Sequence, residues 1–188
     1  TLTPEMVCPN TAARVGAELG AAPAGAMDLS AACSGFVYAL NVASSLIETG
    51  QYKTIGVVGA ETLSKIVDYE DRRTCILFGD GAGAAVVTAV DDPTRGCLHQ
   101  SMHSNGNLWG ELYVPAQDAQ EGPCARERFG LPEDKLYINI DRFGNTSAAS
   151  APICLHEAYE QGKIKEGDLV LFCAIGGGMT WTTSLWRM

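Results

Sequence analysis

Three short stretches of this chain combine residue types and spacings that could do chemistry. The first is Asp28-Leu29-Ser30-Ala31-Ala32-Cys33-Ser34-Gly35-Phe36, where a strand-like run ends on a cysteine and a helix begins. A helix N-terminus offers unpaired N–H groups and about half a positive charge. Both favour the thiolate, which is the nucleophilic form of cysteine. The second stretch is Gly144-Asn145-Thr146-Ser147, again a turn between a strand-like run and a helix, and the third is Gly176-Gly177-Gly178 behind a late apolar run. Each has a plainer reading: a small buried core cysteine, an asparagine that caps a turn, and a tight glycine turn. The order strand, turn, cysteine, helix moves Cys33 toward the nucleophile.

These residues need elements to hold them. After Cys33, the apolar residues Phe36, Leu40, Ala43, Leu46 and Ile47 recur at helical spacing, and Gly50 supplies a stop. Thr54–Ala60 is a continuous apolar run, as expected of a strand buried on both faces, so residues 24–60 read as strand, helix and strand of a parallel βαβ unit. A glycine-rich turn, Gly79–Gly83, leads into the strand-like Ala84–Thr88, and Asp91-Asp92-Pro93 breaks the pattern. The halves are therefore placed at 1–92 and 93–188. The second half repeats the grammar: a strand over Leu136–Ile140, the Asn145 turn, a helix to about Gln161, a strand over Asp168–Ala174, and a last strand ending near Arg187. Thr11–Leu19 reads as a helix. Two halves with the same order imply a pseudo-twofold duplication.

Composition narrows the class. The chain has 188 residues, 46% of them hydrophobic and 19% charged, which fits a packed globule with a real core. A net charge of -9 argues against a nucleic-acid partner. Seven cysteines without a C-x-x-C pair fit neither a disulfide framework nor a zinc site, so reduced thiols, no metal and a cytoplasmic location are expected. No apolar run reaches about 18 residues and no charged-then-apolar leader opens the chain, so neither a membrane span nor a signal peptide is expected. Thr1–Asn10 offers no initiating element, which reads as part of something longer.

With these residues in place, the sequence resembles β-ketoacyl-acyl carrier protein synthase III, a thiolase-fold condensing enzyme. Asp28–Phe36, Asp71–Ala84, Tyr137–Ser150 and Gly176–Trp181 carry the likeness in the right order over nearly the whole chain. The resemblance implies an α/β thiolase-like duplicated fold of five layers, αβαβα, with mixed sheets sandwiched by helices. It implies that acyl-coenzyme A acylates Cys33, that malonyl-acyl carrier protein then decarboxylates, and that its carbanion attacks the thioester to start a fatty-acid chain. By the same resemblance Asn145 stabilises the enolate, and the N–H groups of Cys33 and Gly177 form the oxyanion hole. Arg72 contacts the nucleotide end of coenzyme A, and Phe78 walls the acyl pocket. No bound cofactor is implied, since acyl-coenzyme A and malonyl-acyl carrier protein enter as substrates. A homodimer is implied, with the loop near Cys8 approaching the partner's acyl pocket.

One departure stands out. The family sets a histidine from a His-x-x-Asn stretch beside the cysteine and asparagine, and no such stretch occurs here. The three histidines, His99, His103 and His156, read as structural or solvated. Ala125-Arg126-Glu127-Arg128-Phe129-Gly130 reads as the last two turns of a helix whose body is missing, which places a gap near 115–125. Either the chain joins the ordered parts of a longer enzyme or it is a truncated relative. Two other activities stay open: a polyketide-starter or acyltransferase enzyme of secondary metabolism, and a non-catalytic fragment that binds coenzyme A.

Overall fold

A computed structural model describes residues 1–21, 23–72, 74–112 and 137–188. The join at 115–125 and the Ala125–Gly130 helix ending lie outside the described residues. The longest helix, α2 (Gly35–Glu48), buries Phe36, Val37, Leu40, Asn41, Ala43 and Ser44 on one side, and none of its other residues before Glu48 is exposed. A helix with so little exposed surface belongs in the middle of a molecule. It closes as the sequence predicts: Gly50 takes a positive φ of 74° and donates to Ile47.

Two sheets enclose this helix. One pairs β1 (Thr54–Glu61) with β2 (Gly81–Thr88), antiparallel from Thr54 opposite Thr88 to Glu61 opposite Gly81. The other has the order β3-β5-β4, also antiparallel, from β3 (Gly96–Ser104), β5 (Thr180–Arg187) and β4 (Leu169–Gly176). A second central helix, α4 (Ser150–Glu160), follows the short α3 (Ile140–Phe143). The core centres on Phe36, Val37, Leu40, Ala43, Val57 and Ala148, with Ile55, Ala85 and Val87 from one sheet and Phe172, Ala174 and Trp186 from the other packed around it. The described residues thus supply the inner sheet, helix and sheet layers of the five-layer arrangement.

Two 3₁₀ turns enter the central helices. Ala32–Ser34 leads into α2 and Ser147–Ala149 into α4. Each contains a non-glycine residue in the left-handed region, Ala32 at φ 47° and Ser147 at φ 51°. Such conformations cost of order 1–3 kcal/mol and concentrate at functional sites. The two turns meet across the centre, where a Cβ placed on Gly35 would lie 3.7 Å from the Ala148 Cβ.

Several sequence expectations are corrected. Residues 24–30 form no strand, because no neighbouring strand pairs with them among the described residues. The pairing of β1 is with β2 and antiparallel, so the parallel βαβ unit is not seen there. Nor is β1 buried on both faces: Val58 is 47% exposed, since no described helix covers that side of the sheet. Residues 137–139 are irregular and Ile140 opens α3, where a strand was expected. Strand β3 was not anticipated. Helix α1 (Thr11–Glu18) is as expected, with Asn10 Oδ1 accepting from the Ala13 N–H at 2.7 Å.

Candidate active site

Cys33 occupies the middle of the 3₁₀ turn at the entrance to α2. The turn is clamped from the β4–β5 side by a short polar seam. Ser34 Oγ donates to the Thr180 carbonyl at 3.3 Å, and Thr180 Oγ1 donates to the Ala31 carbonyl at 3.3 Å. Gly176 ends β4 directly against the same turn. A Cβ added there would lie 2.8 Å from the Ala31 oxygen and 2.9 Å from the nitrogens of Cys33 and Ser34. Only glycine allows that approach. Gly177 follows, and a Cβ on it would lie 2.8 Å from the Leu112 oxygen. The glycine turn and the cysteine turn are therefore neighbours, with Gly176 making the closest approach.

Asn145 arrives from the other half. Its backbone bridges that of Phe78: the Asn145 N–H donates to the Leu77 carbonyl at 2.7 Å, and the Gly79 N–H donates to the Asn145 carbonyl at 3.1 Å. The Asn145 side-chain oxygen accepts the Ser147 N–H at 2.9 Å. With Oδ1 held by an N–H, the amide orientation is fixed and its NH₂ end becomes the donor. Gly59 on β1 lets the Ser147–Ala149 turn settle, since a Cβ there would lie 2.5 Å from the Ala148 carbonyl oxygen. Cys33, Asn145, Phe78 and the Gly176–Gly178 turn are brought to one region by these contacts. Arg72 is exposed in a turn. His99, His103 and His156 are all exposed, and His103 stacks on Trp181 with ring centroids 5.6 Å apart.

The electrostatics of Cys33 differ from the expectation of an activated thiolate. Burial pushes the thiol up from its ordinary value, and the carboxylate of Glu61 pushes in the same direction. The Ser147 hydroxyl opposes this from beside the sulfur. That pair falls short of full hydrogen-bond geometry, so Ser147 Oγ stands as a buried oxygen without a partner. No histidine figures among the groups that act on the thiol. The Cys33 backbone N–H at the helix entrance also favours the charged form, but burial outweighs it.

Nothing in the sequence marks Glu61, and Gly176 and Ser147 stand out there only as members of their turns, without a role of their own. Glu61 is 3% exposed at the end of β1, where its carboxylate accepts the Leu2 N–H at 3.0 and 3.1 Å and the Thr3 hydroxyl at 2.9 Å. Those partners lie far away in sequence, so nothing local announces the site. Ser147 did carry a local signal, since Asn-x-Ser lets the asparagine oxygen accept the N–H two residues on.

Comparison with known proteins agrees with this arrangement. The sequence model of 3-oxoacyl-[acyl-carrier-protein (ACP)] synthase III matches residues 27–106, and the model of its C-terminal part matches residues 119–188. The chain is 41% identical to a β-ketoacyl-[acyl-carrier-protein] synthase III of Aquifex aeolicus, covering 100% of this chain and 74% of the relative. That match runs over 230 aligned positions against 188 residues here, so the relative carries segments without counterpart in this chain. The crystal structure of 3-oxoacyl-[acyl-carrier-protein] synthase III from Aquifex aeolicus superposes with a TM-score of 0.90 at 38% identity, over 100% of this chain and 75% of that one. The Thermus thermophilus structure gives 0.89 at 33% identity, over 99% and 74%. The thiolase-like fold, the turns that join Cys33 to Asn145 and these matches converge: the chain belongs to the β-ketoacyl-[acyl-carrier-protein] synthase III family of condensing acyltransferases.

Proposed function

We propose that Cys33 takes the acyl group from an acyl-coenzyme A and passes it to a malonyl unit carried on acyl carrier protein. The observation that carries this reading is the meeting of the Cys33 and Asn145 turns at the paired entrances of α2 and α4, with Gly176 against the Cys33 nitrogen. In the first half-reaction the Cys33 sulfur attacks the thioester carbonyl. A new C–S bond forms, the bond to coenzyme A breaks, and the coenzyme A sulfur leaves with the proton that Cys33 gave up. Oxygen charge in the tetrahedral intermediate would meet the N–H groups of Cys33 and Gly177. In the second half-reaction the malonyl unit loses CO₂, and its carbanion attacks the acyl carbonyl, expelling the Cys33 thiolate. The NH₂ of Asn145 is the neutral donor for the enolate oxygen. Phe78, tied through its backbone to Asn145, would wall the acyl chain, and the exposed Arg72 would reach the nucleotide of coenzyme A.

The active assembly in this reading is a cytoplasmic homodimer, with the exposed loop at Cys8 facing its partner. Among the described residues no helix is long and apolar enough to cross a membrane. A covalent intermediate makes the first half-reaction separable from the second. Labelled coenzyme A mixed with unlabelled acetyl-coenzyme A and the protein, without malonyl-acyl carrier protein, should give labelled acetyl-coenzyme A. Replacement of Cys33 by alanine should stop the exchange. Exchange that persists in that variant would overturn the assignment of Cys33.

A further inference from the structure

Ser147 bears two costs at one residue. Its backbone sits at φ 51°, where a side chain is disfavoured, and its Oγ is buried with no hydrogen-bond partner. An unsatisfied buried hydroxyl costs about 1–3 kcal/mol, and each such group in a folded protein calls for a reason. The same residue touches both halves of the site. Its N–H holds the Asn145 oxygen at 2.9 Å, while its hydroxyl is buried where its turn packs against the Cys33 turn, and it acts on the Cys33 thiol. The neutral thiol is a weak acceptor that leaves the hydroxyl unsatisfied, whereas a thiolate would accept its proton strongly.

We propose that Ser147 is a positioning residue whose hydroxyl donates a hydrogen bond to the Cys33 thiolate, while its N–H fixes the Asn145 amide. The left-handed backbone serves both tasks, since it lets N–H and Oγ of one residue address two different side chains. The inference rests on Cys33 being the nucleophile. In this chain the role carries added weight, because no histidine acts on the thiol and burial and Glu61 both oppose its ionisation.

The test reads Cys33 directly, by peptide mass after timed alkylation with iodoacetamide across a pH series. Ser147→Ala and Ser147→Gly remove the hydroxyl, and the glycine variant suits the positive φ and so guards against simple misfolding. Both should shift the alkylation midpoint upward, with a roughly tenfold slower reaction at about pH 8. Ser147→Thr keeps the hydroxyl and should hold the midpoint near the parent's. A Ser147→Gly protein that melts like the parent and alkylates with an unchanged midpoint overturns the proposal. Acylation by acetyl-coenzyme A is measured alongside. A shifted midpoint without acylation refutes the condensing role and keeps Ser147, whereas acylation with an unshifted midpoint does the reverse.

Discussion

Cys33 sits in a turn whose shape depends on a glycine far away in sequence. At Gly176 even one methyl group would press on the Ala31 oxygen and the Cys33 and Ser34 nitrogens. Gly176→Ala should therefore cost about 1–3 kcal/mol of stability. It should also reduce acylation of Cys33 more than the loss of folded protein explains, as read by a urea melt beside the coenzyme A exchange rate. The thiol itself sets a pH dependence. Burial and Glu61 raise it, so at neutral pH the thiolate fraction is smaller than for a free cysteine. Acylation should keep accelerating as pH rises past the ordinary thiol range, and a rate that levels off below that range would contradict the buried, neutral thiol. Cys33 and Asn145 stand out in the sequence because each precedes a recognisable helix, although the strands expected before them are absent among the described residues. The particular roles of Gly176, Glu61 and the Ser147 hydroxyl are not legible there, because they come from contacts across the fold.

The elements that frame the site were legible wherever periodicity was strong. Helix α2 repeats apolar residues at helical spacing, β4 is a mostly apolar run, and β5 is rich in threonine and tryptophan. Strand β3 was missed because Gly96–Ser104 mixes two histidines and a glutamine into its pattern and shifts register between Cys97 and His99. The supposed strand before Cys33 instead contributes a helix anchor. Both oxygens of Asp28 accept backbone N–H groups at the start of α1, from Thr11 and Ala12, each at 2.8 Å. Burial alone would raise the Asp28 carboxyl, but those N–H groups outweigh it and hold it below the usual carboxylate range. Asp28→Ala should loosen α1 and cost about 1 kcal/mol in a urea melt at neutral pH. The sign with pH follows from the lowered value: the contribution is present above the usual carboxylate range and is lost as pH falls through the depressed one. Parent and Asp28→Ala should converge in acid, and a difference that grows there would contradict this role.

The described residues keep the centre of the family fold, and the relatives carry segments without counterpart in this chain. Both sheets present apolar residues outward, with Val86 70% and Leu171 57% exposed, as expected of inner layers. In the proposed reaction the second half-reaction has Asn145 as its side-chain donor for the enolate, and the chain offers no His-x-x-Asn stretch to help it. Loss of one such donor slows a reaction by about 10²–10³-fold. Condensation with malonyl-acyl carrier protein should therefore trail a relative that has the histidine by about that factor, while acylation of Cys33 proceeds. Equal condensation rates would show that another group does the histidine's work. The most direct measurement is the intact mass of the protein before and after acetyl-coenzyme A, with peptide mapping of the adduct. One added acetyl of about 42 Da on the Cys33 peptide, absent in Cys33→Ala, is the predicted result. An acetyl group on another residue, or none from acetyl-coenzyme A or any longer acyl-coenzyme A, would contradict a condensing enzyme built on Cys33.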